Sequence, residues 1–213
     1  MKRRRRRSFA VGFTLLEMLL AVAIMAILAT LLAIPVVSLI SSTRLSGATD
    51  HVVGLLGYAR QSAIALNHTV EVRFYKYTDS EAPAGGNRYQ AVQIIQYSDS
   101  GQAVPLTKVQ WLPPSIIFDS NSTLSPLLSL TKNFGPPVDP VLDPQISLPR
   151  IGTLYTCAAF RFMPTGVTNL AATSAWYITL HRKTDGDNLS APPVNYATIQ
   201  IDPTSGAVKV YRP

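Results

Sequence analysis

One carboxylate, Glu17, stands four residues after Phe13 in an otherwise uncharged stretch, residues 13–40 (FTLLEMLLAVAIMAILATLLAIPVVSLI). A lone carboxylate in a helix crossing a bilayer costs roughly 2.5–3.5 kcal/mol on insertion scales, so it needs a cation or a route to the headgroups. Other chemistry-bearing residues are scattered. His51, His68 and His181 lie in separate segments with no metal-ligand spacing. Cys157 is the sole cysteine, which excludes an intrachain disulfide, and its apolar neighbours predict a buried, inert thiol. Asp185-Gly186-Asp187-Asn188 looks like part of a calcium loop but lacks a distal acid, so a polar turn is expected. Two sets mix bases with aromatics: Arg73, Lys76 and Arg88 with Tyr75, Tyr77 and Tyr89, and Lys209 and Arg212 with Tyr211. On an exposed strand face such sets could serve phosphates and bases. Interleaved acids favour a plain solvated sheet face instead, and nucleic acid is not expected as a partner. No nucleophile elbow, Walker loop, dinucleotide fingerprint or paired-cysteine motif is present, so neither an enzyme nor a cofactor is expected.

These residues need elements to hold them. From residue 18 to residue 40 no side chain ionises, and as a helix that run spans about 35 Å against a hydrocarbon core of about 30 Å. Lys2 and Arg3 to Arg7 precede it, which predicts a cytoplasmic amino terminus and a translocated remainder. The run is too long for an ordinary cleaved secretory signal. Arg6-Arg7-Ser8-Phe9 suggests a twin-arginine signal, but the same length argues against removal. A plain signal anchor accounts for everything except Glu17. The 213-residue chain has net charge +7, yet without that basic block 13 bases face 12 acids. The body is nearly neutral, and a global electrostatic case for nucleic-acid binding fails.

Beyond residue 40 the pattern turns amphipathic, with Leu45, Ala48, Val52, Leu55, Leu56, Ala59, Ala63 and Leu66 three or four residues apart. One helix is therefore expected to run to about residue 66, its outer half packing one stripe on a globular part. Pro35 predicts a kink. Alternation over 69–77 and 88–97 reads as strands, with a third over 104–112 and a continuation at 115–118. Residues 119–150 are rich in Ser, Pro, Asn and Leu and read as a long irregular insertion. Strands return at 154–163, 175–183, 195–201 and 207–212, the last two forming a hairpin. The domains are then a basic leader (1–12), a transmembrane half-helix (13–40), an amphipathic half-helix (41–67) and a β-rich head (68–213) with its insertion at 119–150. The fold class is α+β: a long N-terminal helical spine packed on an antiparallel sheet.

Gly12-Phe13-Thr14-Leu15-Leu16-Glu17, between the basic leader and the apolar run, resembles the processing motif of type IV prepilins and pseudopilins. That resemblance implies cleavage between Gly12 and Phe13 by a prepilin peptidase, N-methylation of Phe13, and an assembly role for Glu17 opposite a neighbouring subunit's Phe13 ammonium. It also implies a pilin-like fold, pilin or pseudopilin subunits and inner-membrane lipid as partners, and a single-pass inner-membrane protein with a periplasmic head. The expected function is a non-catalytic minor subunit of a type IV pilus or type II secretion-like filament. The alternative is an anchored binding module that does not polymerise, with FimT-like DNA binding as one form of it. Residues 58–67 (YARQSAIALN), 160–166 (FRFMPTG) and 201–208 (IDPTSGAV) are similar to H-type pseudopilins and FimT-like minor pilins. Residues 71–77 (EVRFYKY) and 210–213 (VYRP) resemble the Verru_Chthon cassette protein D family.

Overall fold

The computed structural model describes residues 13–78, 86–134 and 141–213, apart from the side chains of residues 29–41. Gly12 and the basic leader lie outside this description. The chain forms two compact units, 1–40 and 41–213. One helix, α1 (Leu15–Leu66), contributes to both. In the first unit every side chain from Phe13 to Leu28 is exposed, and all but Thr14 and Glu17 are apolar. Among the described residues no helix is long and apolar enough to cross a membrane, and the expected span continues into residues 29–40.

In the second unit the helical stripe does what its period predicts. Leu45, Ala48, Val52, Leu56, Ala59 and Ala63 are buried against the sheet. Thr49 sits in this stripe because its hydroxyl donates to the Leu45 carbonyl (2.8 Å), leaving no unsatisfied polar group. The stripe ends one turn early, since Leu66 is 46% exposed and Leu55 only half-buried. Asn67 stops the helix in the left-handed region (φ 54°), a conformation that asparagine tolerates.

Among the described residues ten antiparallel strands follow: β1 (Val70–Thr78), β2 (Asn87–Tyr97), β3 (Ala103–Pro105), β4 (Gln110–Trp111), β5 (Ile116–Phe118), β6 (Thr131–Lys132), β7 (Tyr155–Phe162), β8 (Trp176–Arg182), β9 (Tyr196–Ile201) and β10 (Val208–Tyr211). Their order is β10-β9-β8-β5-β2-β1-β7-β6. One edge of β2 is shared in succession by β5, β4 and β3. The single strand expected over 104–112 is therefore two short ones, parted where Leu106 and Thr107 bond to Ile94. A bulge interrupts the β1–β2 register at Tyr75/Lys76, where Gln90 is the extra residue.

Strand alternation predicted one apolar face and one solvated face for β1. Instead β1 is buried on both faces. Val70, Val72 and Phe74 join the core under α1, while Tyr75 and Tyr77 join a second core with Ala91, Leu148 and Cys157. The insertion supplies the cover. It is not wholly irregular: it carries a 3-10 turn (Pro126–Ser129) and β6, and it lays Phe134, Ile146 and Leu148 across the far face of the sheet.

Candidate functional site

The start of α1 is built by two residues. Thr14 donates its backbone N–H (2.9 Å) and its hydroxyl (3.0 Å) to Glu17 Oε2, and the Glu17 N–H donates to Thr14 Oγ1 (3.2 Å). This reciprocal pair is a capping box, which satisfies amide donors that the first turn leaves without helical partners. It fixes the carboxylate against the positive end of the helix dipole. Among the described residues Glu17 Oε1 receives no hydrogen bond. The Thr-x-x-Glu spacing that signals such a box is present in the sequence and was open to reading there. Phe13 is 78% exposed beside it.

The basic–aromatic set on β1 and β2 is not a binding surface. Arg73 and Tyr75 are fully buried, and Tyr77 and Tyr89 nearly so. Lys76 lies 5.4 Å from the centre of the Tyr89 ring, and Arg88 donates to the Lys183 carbonyl (3.3 Å). The solvated sheet face expected for these residues is overturned along with the binding reading: Tyr75 and Tyr77 lie in the core under the insertion, and Tyr89 lies in the core under α1. In the tail set Arg212 is paired with Asp50 (2.9 Å), while Lys209 and Tyr211 are exposed.

Beneath the insertion lies a charge cluster that sequence alternation missed. Arg73 Nε donates to Glu71 (2.7 Å) and Arg73 Nη2 to Asp143. Lys132 Nζ reaches Asp143 (2.6 Å) and Glu71 (3.1 Å), and Arg161 Nε reaches Glu71 (2.8 Å). The Tyr97 hydroxyl donates to Asp143 (2.6 Å). Burial by itself would raise the Glu71 carboxyl, but Arg73, Lys132 and Arg161 outweigh it and hold the group below the usual carboxylate range. Arg73 packs over Phe134, 5.3 Å from the ring centre, and directly opposite its backbone on β7 stands the small Ala159. The cluster joins β1, β2 and β7 to the insertion and has the form of a structural clamp.

The remaining candidates are likewise spoken for. Cys157 is 1% exposed and its thiol is pushed up by burial to about 12, as an inert buried thiol should be. His181 is fully buried, with Nε2 2.9 Å from Asp119 and Nδ1 2.9 Å from the Arg182 carbonyl. Burial works against the charged ring, but the bonds to Asp119 and the Arg182 carbonyl raise the His181 pKa overall, since only the protonated ring donates at both nitrogens. His68 lies 3.4 Å from Asp99, and His51 is exposed. Asp185 takes Arg182 (2.9 Å), and Asp187 accepts the N–H groups of Ser120 and Asn188. No metal-binding group of three or more His, Cys, Asp or Glu residues occurs among the described residues.

Residues 58–67, 160–166 and 201–208, distant in sequence, meet at one point. Arg60 Nε donates to the carbonyls of Gly166 (3.2 Å) and Ser205 (3.0 Å). Gly206 has φ +66°, and a Cβ there would stand 2.2 Å from the Gly166 oxygen, so only glycine fits. The helix end thus locks two turns of the head.

No protein-family profile matches the chain, and no curated protein matches it. Among solved structures, the minor pseudopilin EpsH from the type 2 secretion system of Vibrio cholerae is similar over 80% of this chain and 98% of its own, with 8% identity and a TM-score of 0.43. The type IV minor pilin FimU of Pseudomonas aeruginosa strain PAO1 is similar over 80% of this chain and 93% of its own, with 12% identity and a TM-score of 0.43.

Proposed function

We propose that this chain is a minor pilin- or pseudopilin-like subunit: a non-catalytic component of a type IV pilus or type II secretion-like filament, anchored in the inner membrane by the first half of α1. The observation that carries the reading is a carboxylate fixed in the first turn of a helix whose other side chains, from Phe13 to Leu28, are exposed and, Thr14 aside, apolar. Such a surface cannot stay in water, and the leader directly before it carries the pattern of a prepilin processing site. Prepilin peptidase cuts between Gly12 and Phe13, and the new Phe13 amine is methylated. The capping box survives that cut, because all of its atoms belong to Thr14 and Glu17. Glu17 Oε1 then accepts the ammonium of a neighbouring subunit's Phe13, and a mispaired register would leave a buried, uncompensated charge. The helix acts as a long spine and the β-rich head makes subunit or cargo contacts in the periplasm.

Replacing Gly12 by a bulky residue tests the processing step. The full-length precursor should accumulate in the membrane fraction on an immunoblot, and wild-type cleavage would refute the reading.

A second reading, an anchored binding module that does not polymerise, is favoured by one fact: Glu17 already has partners within its own chain. It expects no contacts between neighbouring amino-terminal helices.

A further inference from the structure

Asn121 stands at the start of the insertion, between β5 and the 3-10 turn. Its N–H donates to Asp119 Oδ1 (2.7 Å), and its carbonyl accepts the N–H groups of Leu124 (3.1 Å) and Ser125 (2.8 Å). Its Oδ1 accepts the Thr123 N–H (2.8 Å), which closes an Asx turn and holds the side-chain amide by its oxygen. Nδ2 has no partner among the described residues and is open to solvent. Ser122 and Thr123 are exposed, and the Thr123 carbonyl accepts the Tyr177 hydroxyl (2.9 Å), which pins the loop to β8. The segment reads Asp119-Ser120-Asn121-Ser122-Thr123. Asn-x-Ser/Thr is the acceptor pattern of N-linked glycosylation, where the hydroxyl two residues on is a handle for the transferase. Three such patterns occur, at Asn67, Asn121 and Asn188, and two residues before them stand Ala65, Asp119 and Gly186. Asn121 alone therefore adds an acid, a second handle that a basic group of the enzyme can grip.

Resting on the reading above that the head lies in the periplasm, we propose that Asn121 is an N-glycosylation site. The donor is an oligosaccharide carried on a polyprenyl diphosphate, and the catalyst is an oligosaccharyltransferase. Nδ2 attacks the anomeric carbon, the bond from that carbon to the diphosphate oxygen breaks, polyprenyl diphosphate leaves, and the amide gives one proton to the enzyme. The structure also says when this happens. In the folded head Asp119 is buried, held by His181 Nε2 (2.9 Å) and by the N–H groups of Asn121 and Leu189 (3.2 Å). A transferase reads that charge only before those bonds close or when the loop opens, so the sugar is added as the chain emerges rather than to the finished head. The product suits the fold, because the Asx turn uses Oδ1, which the glycosylated amide keeps.

The test is peptide mass spectrometry on the full chain, purified from the membranes of the cells that make it. Trypsin releases residues 109–132, which hold Asn121 and neither of the other two patterns. That peptide should carry an oligosaccharide mass; Asn121→Gln and Thr123→Ala should lose it, and Thr123→Ser should keep it. Two variants that both loosen the loop should part company. Asp119→Asn should lose the sugar, whereas His181→Gln, which keeps the acid, should retain or raise it. Sugar that survives Asn121→Gln on the same peptide would mean linkage to a hydroxyl and overturn the site. Full occupancy in Asp119→Asn would overturn the part given to the acid. A bare peptide from protein whose head is cut by protease added outside spheroplasts would overturn the inference while leaving the anchor reading in place. A bare peptide from protein whose head is protected there would bring down the periplasmic placement, and this inference with it.

Discussion

Glu17 has two separable jobs at the residue scale, and two substitutions tell them apart. Thr14→Ala removes the two bonds of the hydroxyl but keeps the carboxylate and its bond from the backbone N–H, costing the helix start about 1 kcal/mol. Glu17→Ala loses the charge and the carboxylate half of the cap, while the backbone N–H of residue 17 still has Thr14 Oγ1 as its acceptor. If the carboxylate pairs with a neighbour, Glu17→Ala abolishes crosslinks between amino-terminal helices while Thr14→Ala only weakens them, and both precursors are cleaved normally. Equal crosslinking of wild type and Glu17→Ala would favour the module that never polymerises. His181 offers a second residue-scale test, through pH. Burial by itself would lower its pKa, but the Asp119 carboxylate and the Arg182 carbonyl outweigh that and raise it. A raised folded pKa stabilises in full below the unfolded value near 6.5, and that stability is lost as pH rises through the folded value. Urea midpoints should therefore fall on the alkaline side, and His181→Gln should remove that slope. At the other end Asp119 is held below its ordinary value despite burial, chiefly by the His181 hydrogen bond and the Asn121 and Leu189 N–H groups. Its share is present above about pH 4 and lost as pH falls through the depressed folded value.

At the scale of elements, the insertion is held down by charge as well as by apolar contact. Glu71 receives Arg73, Lys132 and Arg161, so Glu71→Gln would take one carboxylate from three cations, of which only Arg73 and Lys132 also reach Asp143. Breaking a buried pair from one side costs about 3–5 kcal/mol, and urea unfolding of this variant should show a loss of that size. A loss below 1 kcal/mol would mean that the cluster is solvated and the insertion loosely laid. The same cluster explains what the sequence concealed. Alternation over 69–77 correctly separated Val70, Val72 and Phe74 from Glu71, Arg73 and Tyr75, but alternation reports only that two faces differ. Whether the second face meets water depends on a segment some fifty residues further along the chain. That segment carried a clue, since Leu124, Leu127, Leu128, Ile146 and Leu148 are too apolar for a solvated loop. The helical stripe from Leu45 to Ala63 was legible because 3.6-residue periodicity needs no partner to be read. The break at Leu106 and Thr107 was not, because bonds from Ile94 create it.

For the whole molecule, the chemistry lies at the start of α1 and the architecture lies in the head. In the head, Arg60, Gly166 and Gly206 lock the helix end to two turns. Phe13 and Glu17, by contrast, belong to an apolar helix start that the described part of the chain leaves uncovered. A prepilin-type subunit must be cut at the Gly12–Phe13 bond, and amino-terminal mass spectrometry of the native protein reads that bond directly. A mature chain beginning at N-methylated Phe13 is the expected result. An intact Met1, or a chain beginning after Ser41, would contradict it.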